Sequence, residues 1–139
     1  MPNHVIDGRQ VAAAMLEGVS SDVDVLRQDG WIPKLVSIRI GDSPAVDLYV
    51  RNQKRNADKV GIQFVEKHFP VHISEAEVHA TILNLNVDPR VTGIILQRPI
   101  PENLPIKSLQ TTIHPLKDVE GMHPASIGNI VYRELELGP

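Results

Sequence analysis

The 139-residue chain contains no cysteine. Disulfides, thiol nucleophiles and thiolate metal sites are therefore excluded together. A chain without thiols fits a reducing compartment, and a cytoplasmic location is expected. No apolar run approaches the roughly 20 residues that a membrane helix needs. The opening MPNHVIDGRQ is polar and lacks the apolar centre of an export signal. Basic residues are not in excess either. Lys and Arg total 14 against 17 Asp and Glu, for a net charge of −3, and no long basic run occurs. A surface that binds nucleic acid by neutralising phosphates is not expected.

Several catalytic signatures are missing as well. There is no G-x-S-x-G nucleophile elbow, no G-x-x-x-x-G-K phosphate loop and no G-x-G-x-x-G dinucleotide fingerprint. The histidines are scattered, and no H-E-x-x-H spacing occurs. His68 and His72 stand four apart, but a strand end and Pro70 separate them, so they share no helical face. No metal site is expected.

What is present suits one globular domain spanning 1–139: 42% of residues are hydrophobic and 22% charged. Strand-like and helix-like segments alternate, which predicts an α/β fold. The expected architecture is a three-layer αβα domain with a short, mainly parallel sheet. Asp7 is placed to cap a first helix running to about Gln28, with Val11, Met15, Val19, Val23 and Leu26 as its apolar stripe. LVSIRIG reads as a strand, and GDSP as a turn in which Asp42 or Ser43 caps a second helix starting at Pro44. That helix ends before Gly61. IQFVEKHF is a second strand. Ser74 and Glu77 form a capping box for a third helix. VTGIILQ is apolar almost throughout, as expected of a central parallel strand. A short helix is expected near Ile106–Ile113. HPLKDVEGMHPASIGNIVYRELELGP shows no clear period and reads as an ordered loop followed by a tail.

Ligands of open parallel sheets sit at the carboxyl ends of the strands. Three segments converge there: GDSP, Gln97-Arg98-Pro99 and KDVEGMHP. Singly each is weak, since GDSP is more often only a helix start and KDVEG only a solvated turn. Their order, GDSPAVDLYVRNQK, then GIILQRPIP, then HPLKDVEGMHP, with I-D-G-R at the start, resembles one family. That family is the bifunctional methylenetetrahydrofolate dehydrogenase/cyclohydrolases, in their N-terminal catalytic domain. Its motifs run G-D-x-P-A-S…Y-V-x-x-K, Q-L-P-L-P and K-D-V-D-G-x-H-P.

The resemblance implies an enzyme of one-carbon folate metabolism. Such an enzyme oxidises 5,10-methylenetetrahydrofolate by hydride transfer to NADP or NAD, then hydrolyses the methenyl product. The nicotinamide site would lie in a Rossmann domain absent from this chain, so no cofactor-binding residue is expected here. That domain is expected in cis or as a partner chain, and a homo-oligomer, a dimer, is expected for the assembly. The implied substrate contacts are Tyr49, stacking on the aminobenzoyl ring, then Gln97 near the reacting carbon, and Asp118 and Glu120 on the pterin. Gln53, Gln97 and Glu120 fall on the implied catalytic positions.

Three departures from the family pattern matter. Gln53 occupies the place of the catalytic lysine, four residues after Tyr49 and on the same helical face. Lys54 is rotated from it by roughly 100°. An amide can exchange hydrogen bonds but cannot serve as a general base near neutral pH. Glu120 replaces an aspartate and moves the carboxylate by roughly 1 Å, a displacement that can cost ~10²-fold in rate. Arg98 replaces a leucine. These departures predict an impaired cyclohydrolase step with hydride transfer less affected. The alternative is a folate-binding or assembly module without catalysis.

Overall fold

The fold is given by a computed structural model that describes residues 6–132. The elements run α1 Gly8–Gln28, β1 Lys34–Ile40, α2 Pro44–Val60, β2 Gln63–Phe69, α3 Glu75–Val87, β3 Gly93–Leu96, α4 Ile106–Thr112, a 3-10 turn Pro115–Lys117 and α5 Pro124–Tyr132. All three strands are parallel, in the order β2-β1-β3. α1 packs with α2, and α3 with α4, which gives helices on both faces of the sheet. Among the described residues no helix is long and apolar enough to cross a membrane.

Side chains alternate across a strand, so the sheet has two different faces. Val36, Ile38 and Ile40 of β1, with Ile94 and Leu96 of β3, join the main core with Val78, Ile82 and Leu85 of α3 and Leu109 of α4. The intervening residues Ser37 and Arg39 of β1, and Ile95 of β3 followed by Gln97, point to the α2 face. Arg39 pairs there with Asp47 of α2 and with Glu66 of β2. Its Nη2 also donates to His68 Nδ1 at 2.9 Å, which leaves His68 Nε2 to donate to the Gly41 carbonyl at 3.0 Å.

Local chemistry fixes the helix ends as expected at two places. The Asp7 carboxylate accepts from the Arg9 and Gln10 amides. Ser74 and Glu77 make the reciprocal capping box, and the Ser74 bonds hold the Glu77 carboxyl below its ordinary range. α2 stops at Gly61, whose φ of 82° is open to glycine at little cost.

Four expectations are corrected. β1, not the Val91–Gln97 segment, is the central strand, and β1 is the only strand beside β3 among the described residues. Apolar content reports burial of a strand's faces, not the number of its neighbours. The α1 stripe is not packed: Val23 is buried, but Val11, Met15, Val19 and Leu26 are exposed. α1 meets α2 around Val23 and Arg27, both close to Gly61. Neither Asp42 nor Ser43 caps α2 through its side chain; Ser43 sits at the cap with an extended backbone, and Asp42 lies 3.3 Å from His68 Nε2. Finally, residues 124–132 form α5. Its apolar Ile127, Ile130 and Val131 are exposed and Gly128 interrupts it, so no buried period marks it in the sequence. The tail expected after it lies outside the described residues.

Candidate functional site

A depression of about 290 Å³ opens at the carboxyl end of the sheet. Tyr49 of α2, Gln97 and Arg98 after β3, and Glu120 of the KDVEG loop all contribute to its wall. Two built elements and one loop meet here. α2 begins at the lip because Gly41 ends β1 and Pro44 starts the helix at its first position. Val46 and Val50 anchor its inner face, leaving Tyr49 exposed at the mouth with its ring free.

Gln97 stands at the floor and is only 5% exposed. Its position follows from strand alternation: Ile95 faces α2, and so does Gln97 two residues on. Its amide hydrogens are both committed. Nε2 donates to Ser37 Oγ at 2.9 Å and to Gln53 Oε1 at 2.7 Å. Gln53 is half-buried, one turn along α2 from Tyr49, and reaches the depression through Gln97 without forming its wall. Lys54 points elsewhere and pairs with Asp58 at 2.8 Å on the exposed side.

The third wall is the loop after the 3-10 turn, and its motif KDVEG divides among three tasks. Lys117 Nζ donates to the carbonyls of Leu85 and Asp88 at 2.8 and 2.7 Å, closing the C-terminus of α3. Removal from water holds this ammonium below the ordinary lysine range, with the Asp88 carboxylate opposing. Asp118 Oδ2 accepts from the His123 amide at 2.6 Å and from Ser126 Oγ at 3.0 Å, at the start of α5. Asp118 is thus turned to α5 and does not line the depression, while its buried Oδ1 has no protein partner. Glu120 alone faces the opening. Desolvation raises its carboxyl above the ordinary glutamate range; the Arg98 guanidinium opposes the shift and the Asp118 charge adds to it.

The loop can lie this close because of Gly93. A Cβ there would run into the Val119 side chain and come within 3.2 Å of Leu35 Cδ1. A parallel bridge between Ile94 and Asp118 fixes the same approach along β3.

Some wall residues are silent in the sequence. Val46 stands where the family motif carries a serine, so this wall is apolar at that point. Met122 adds a flexible thioether. Ser37 is the one hydroxyl in the strand run KLVSIRI, and that is its only signal.

Chemically the depression offers a flat aromatic face, one carboxylate, one guanidinium and an amide, with an apolar remainder. That set suits a planar heterocycle with N–H groups. The glycine-rich turn that cradles a dinucleotide pyrophosphate does not occur in the sequence. Among the described residues no cluster of three His, Asp or Glu side chains is placed to hold a metal ion.

Comparison with known proteins gives a consistent result. Residues 6–120 match the family described as tetrahydrofolate dehydrogenase/cyclohydrolase, catalytic domain. A Mesorhizobium japonicum protein named bifunctional protein FolD 2 is 53% identical over 134 residues, covering 96% of this chain and 44% of that protein. The crystal structure of the bifunctional FolD methylenetetrahydrofolate dehydrogenase/cyclohydrolase from Campylobacter jejuni superposes with a TM-score of 0.90 at 31% identity, covering 95% of this chain and 46% of that one. The Trypanosoma brucei dehydrogenase-cyclohydrolase, solved with NADP and an inhibitor, superposes with a TM-score of 0.88 at 28% identity, over 96% of this chain and 46% of that one. The chain therefore spans about half the length of the relatives it matches.

Proposed function

The chain belongs to the tetrahydrofolate dehydrogenase/cyclohydrolase family, in its catalytic domain, and from that premise we propose that it is the folate-binding part of an enzyme of one-carbon metabolism. The activity assigned to the whole enzyme is oxidation of 5,10-methylenetetrahydrofolate with NADP or NAD. Hydrolysis of the methenyl product is assigned as the weaker second step. The cofactor would be held by residues outside this domain. The observation that carries the reading is the meeting of Tyr49, Gln97 and Glu120 on one depression at the carboxyl end of the sheet.

Each group has a task there. Tyr49 offers its exposed ring to the aminobenzoyl plane of the folate. Glu120 accepts paired N–H donors from the pterin. Gln97 addresses the one-carbon bridge between them. Arg98, beside Glu120, opposes the desolvation that raises that carboxyl and so favours its charged form. Gln53 supplies no proton acceptor near neutral pH. Opening the methenyl bridge requires water to lose a proton as it adds, so this step suffers most from an amide at position 53. Oxidation depends mainly on holding the bridge carbon in line and survives better.

The test is reaction partition. In a protein that also carries the part of the relatives this chain does not span, cyclohydrolase turnover is expected to lie well below dehydrogenase turnover. Gln53→Lys is expected to raise the hydrolytic rate about 10²-fold, the lower end of what general acid–base catalysis contributes, and the oxidative rate much less. Methenyltetrahydrofolate absorbance followed with and without cofactor measures both. Fast hydrolysis by the unaltered protein would remove position 53 from the mechanism. Folate binding with turnover in neither reaction would instead identify a non-catalytic folate-binding module.

A further inference from the structure

We propose that Ser37 is a positioning residue for Gln97, acting with Gln53 to set which end of the Gln97 carboxamide faces the ligand. Ser37 is fully buried at the centre of β1, 0% exposed, on the sheet face that α2 covers. A hydroxyl in that place needs a partner, since an unpaired buried polar group is costly. Its partner is Gln97 Nε2 at 2.9 Å. The second hydrogen of the same nitrogen goes to Gln53 Oε1 at 2.7 Å. An amide nitrogen has two hydrogens, so Gln97 has no donor left. Its Oε1 accepts from no group of the described residues, yet it is not among the buried polar atoms sealed off without a partner. The carbonyl oxygen therefore meets the depression. The floor of the site is an acceptor, and it favours a ligand N–H or a water at that point.

Position 53 and position 37 act on this choice differently. Gln53 contributes an acceptor on α2. A lysine there would be a donor only, and would pair with Gln97 only if the carboxamide turned over. Ser37 can accept or donate, so it holds Gln97 in either sense but specifies neither. The pair thus divides the work: Ser37 fixes the place of the amide, and residue 53 sets its polarity by the atom it presents, an acceptor oxygen here and a donor in a lysine. Placement rests on the protein alone; only the identity of the ligand rests on the folate reading.

The test uses the 139-residue chain labelled with nitrogen-15, with the Gln97 side-chain NH₂ signals assigned by their loss in Gln97→Met. In the unaltered protein these protons are expected to exchange with water about three- to tenfold more slowly than those of exposed Gln63, the protection expected of one net hydrogen bond. Ser37→Ala and Gln53→Met should each speed the exchange, Ser37→Thr should restore protection, and Gln53→Glu, which keeps an acceptor, should preserve it. Affinity for tetrahydrofolate, measured by calorimetry, should fall about three- to tenfold in Ser37→Ala and recover in Ser37→Thr. Gln97 protons exchanging as fast as those of Gln63, Gln53→Glu releasing them as Gln53→Met does, or Ser37→Ala leaving exchange or affinity unchanged in a folate-binding protein would each overturn the proposal. Protection that follows the expected pattern while no variant binds folate supports the positioning and sinks the folate reading instead.

Discussion

The two walls of the depression are built on different principles. One wall is regular structure: Tyr49 stands on α2, with Gln53 one turn along behind the wall, and Gln97 follows the alternation of β3. Its amide is bonded to groups of the same framework: Gln97 is held by two hydrogen bonds, to Ser37 and Gln53. The other wall is a loop whose one inward charged group, Glu120, bonds to none of the described residues. It is placed by neighbours: Lys117 ties the loop to α3, Asp118 ties it to α5, and Gly93 lets it approach β3. The first wall is specified by short-range periodicity, the second by three long-range anchors. On the proposed folate reading, a fixed amide next to a loop-borne carboxylate would suit a ligand whose pterin end is gripped after its ring is stacked. It also makes the second wall the more sensitive to remote change.

The sharpest way to break this contrast is Gly93→Ala. The added methyl meets Val119 and Leu35, so the loop must shift or β3 must give way. A loss of about 1–3 kcal/mol in urea unfolding is expected, as for other overpacked sites. Folate affinity should fall with it, while protection of the Gln97 amide stays. Loss of that protection as well would show that the walls are one unit. Lys117→Met should act in the same direction but less, by about 1–2 kcal/mol, because two carbonyls at the α3 terminus lose a charged donor. Equal unfolding midpoints for Lys117→Met and the unaltered protein would mean that the loop is held by Asp118 and Gly93 alone.

The smallest effect is a pH dependence at Glu120. A carboxyl whose pKa is raised by folding contributes stability that is complete below the ordinary glutamate range and is lost as pH rises through its raised value. Glu120→Gln should therefore match the unaltered protein in melting temperature near pH ~3 and slightly exceed it at neutral pH. The gain is small because the side chain remains exposed to solvent. The same substitution should weaken folate binding by about tenfold or more, since a charge-assisted pair is lost. Stability and affinity moving in opposite directions would mark Glu120 as a ligand group. If Glu120→Gln melted lower at neutral pH, the carboxylate would instead be a structural partner.

Much of this was legible beforehand, and the reason differs by residue. α2 and its cleft face could be read because Pro44, Gly61 and the apolar spacing act within a few residues of one another. The capping box of α3 is equally local. The α1 stripe misleads because apolar spacing records a face that can pack, and only the surroundings determine how much of it is covered. α5 escaped notice because its buried member is Ser126, held by Asp118, and no periodic code reports a carboxylate eight residues away. Asp118 and Glu120 look alike in KDVEG, yet one caps and the other opens to the cleft.

The sequence by itself determined the element order as far as α4, the helix boundaries that rest on caps, and the family, since each depends on neighbouring residues or on ordered motifs. It also determined that position 53 holds an amide and no base. The tertiary structure decided what that amide does. Ser37, Gln53 and Gln97 lie on three different elements, and only the parallel register of β1 with β3, under α2, brings them within hydrogen-bond reach. A buried hydroxyl and two largely enclosed carboxamides then satisfy one another, because an unpaired polar group in that place is costly, and that requirement, invisible in any short stretch of sequence, fixes the floor of the site.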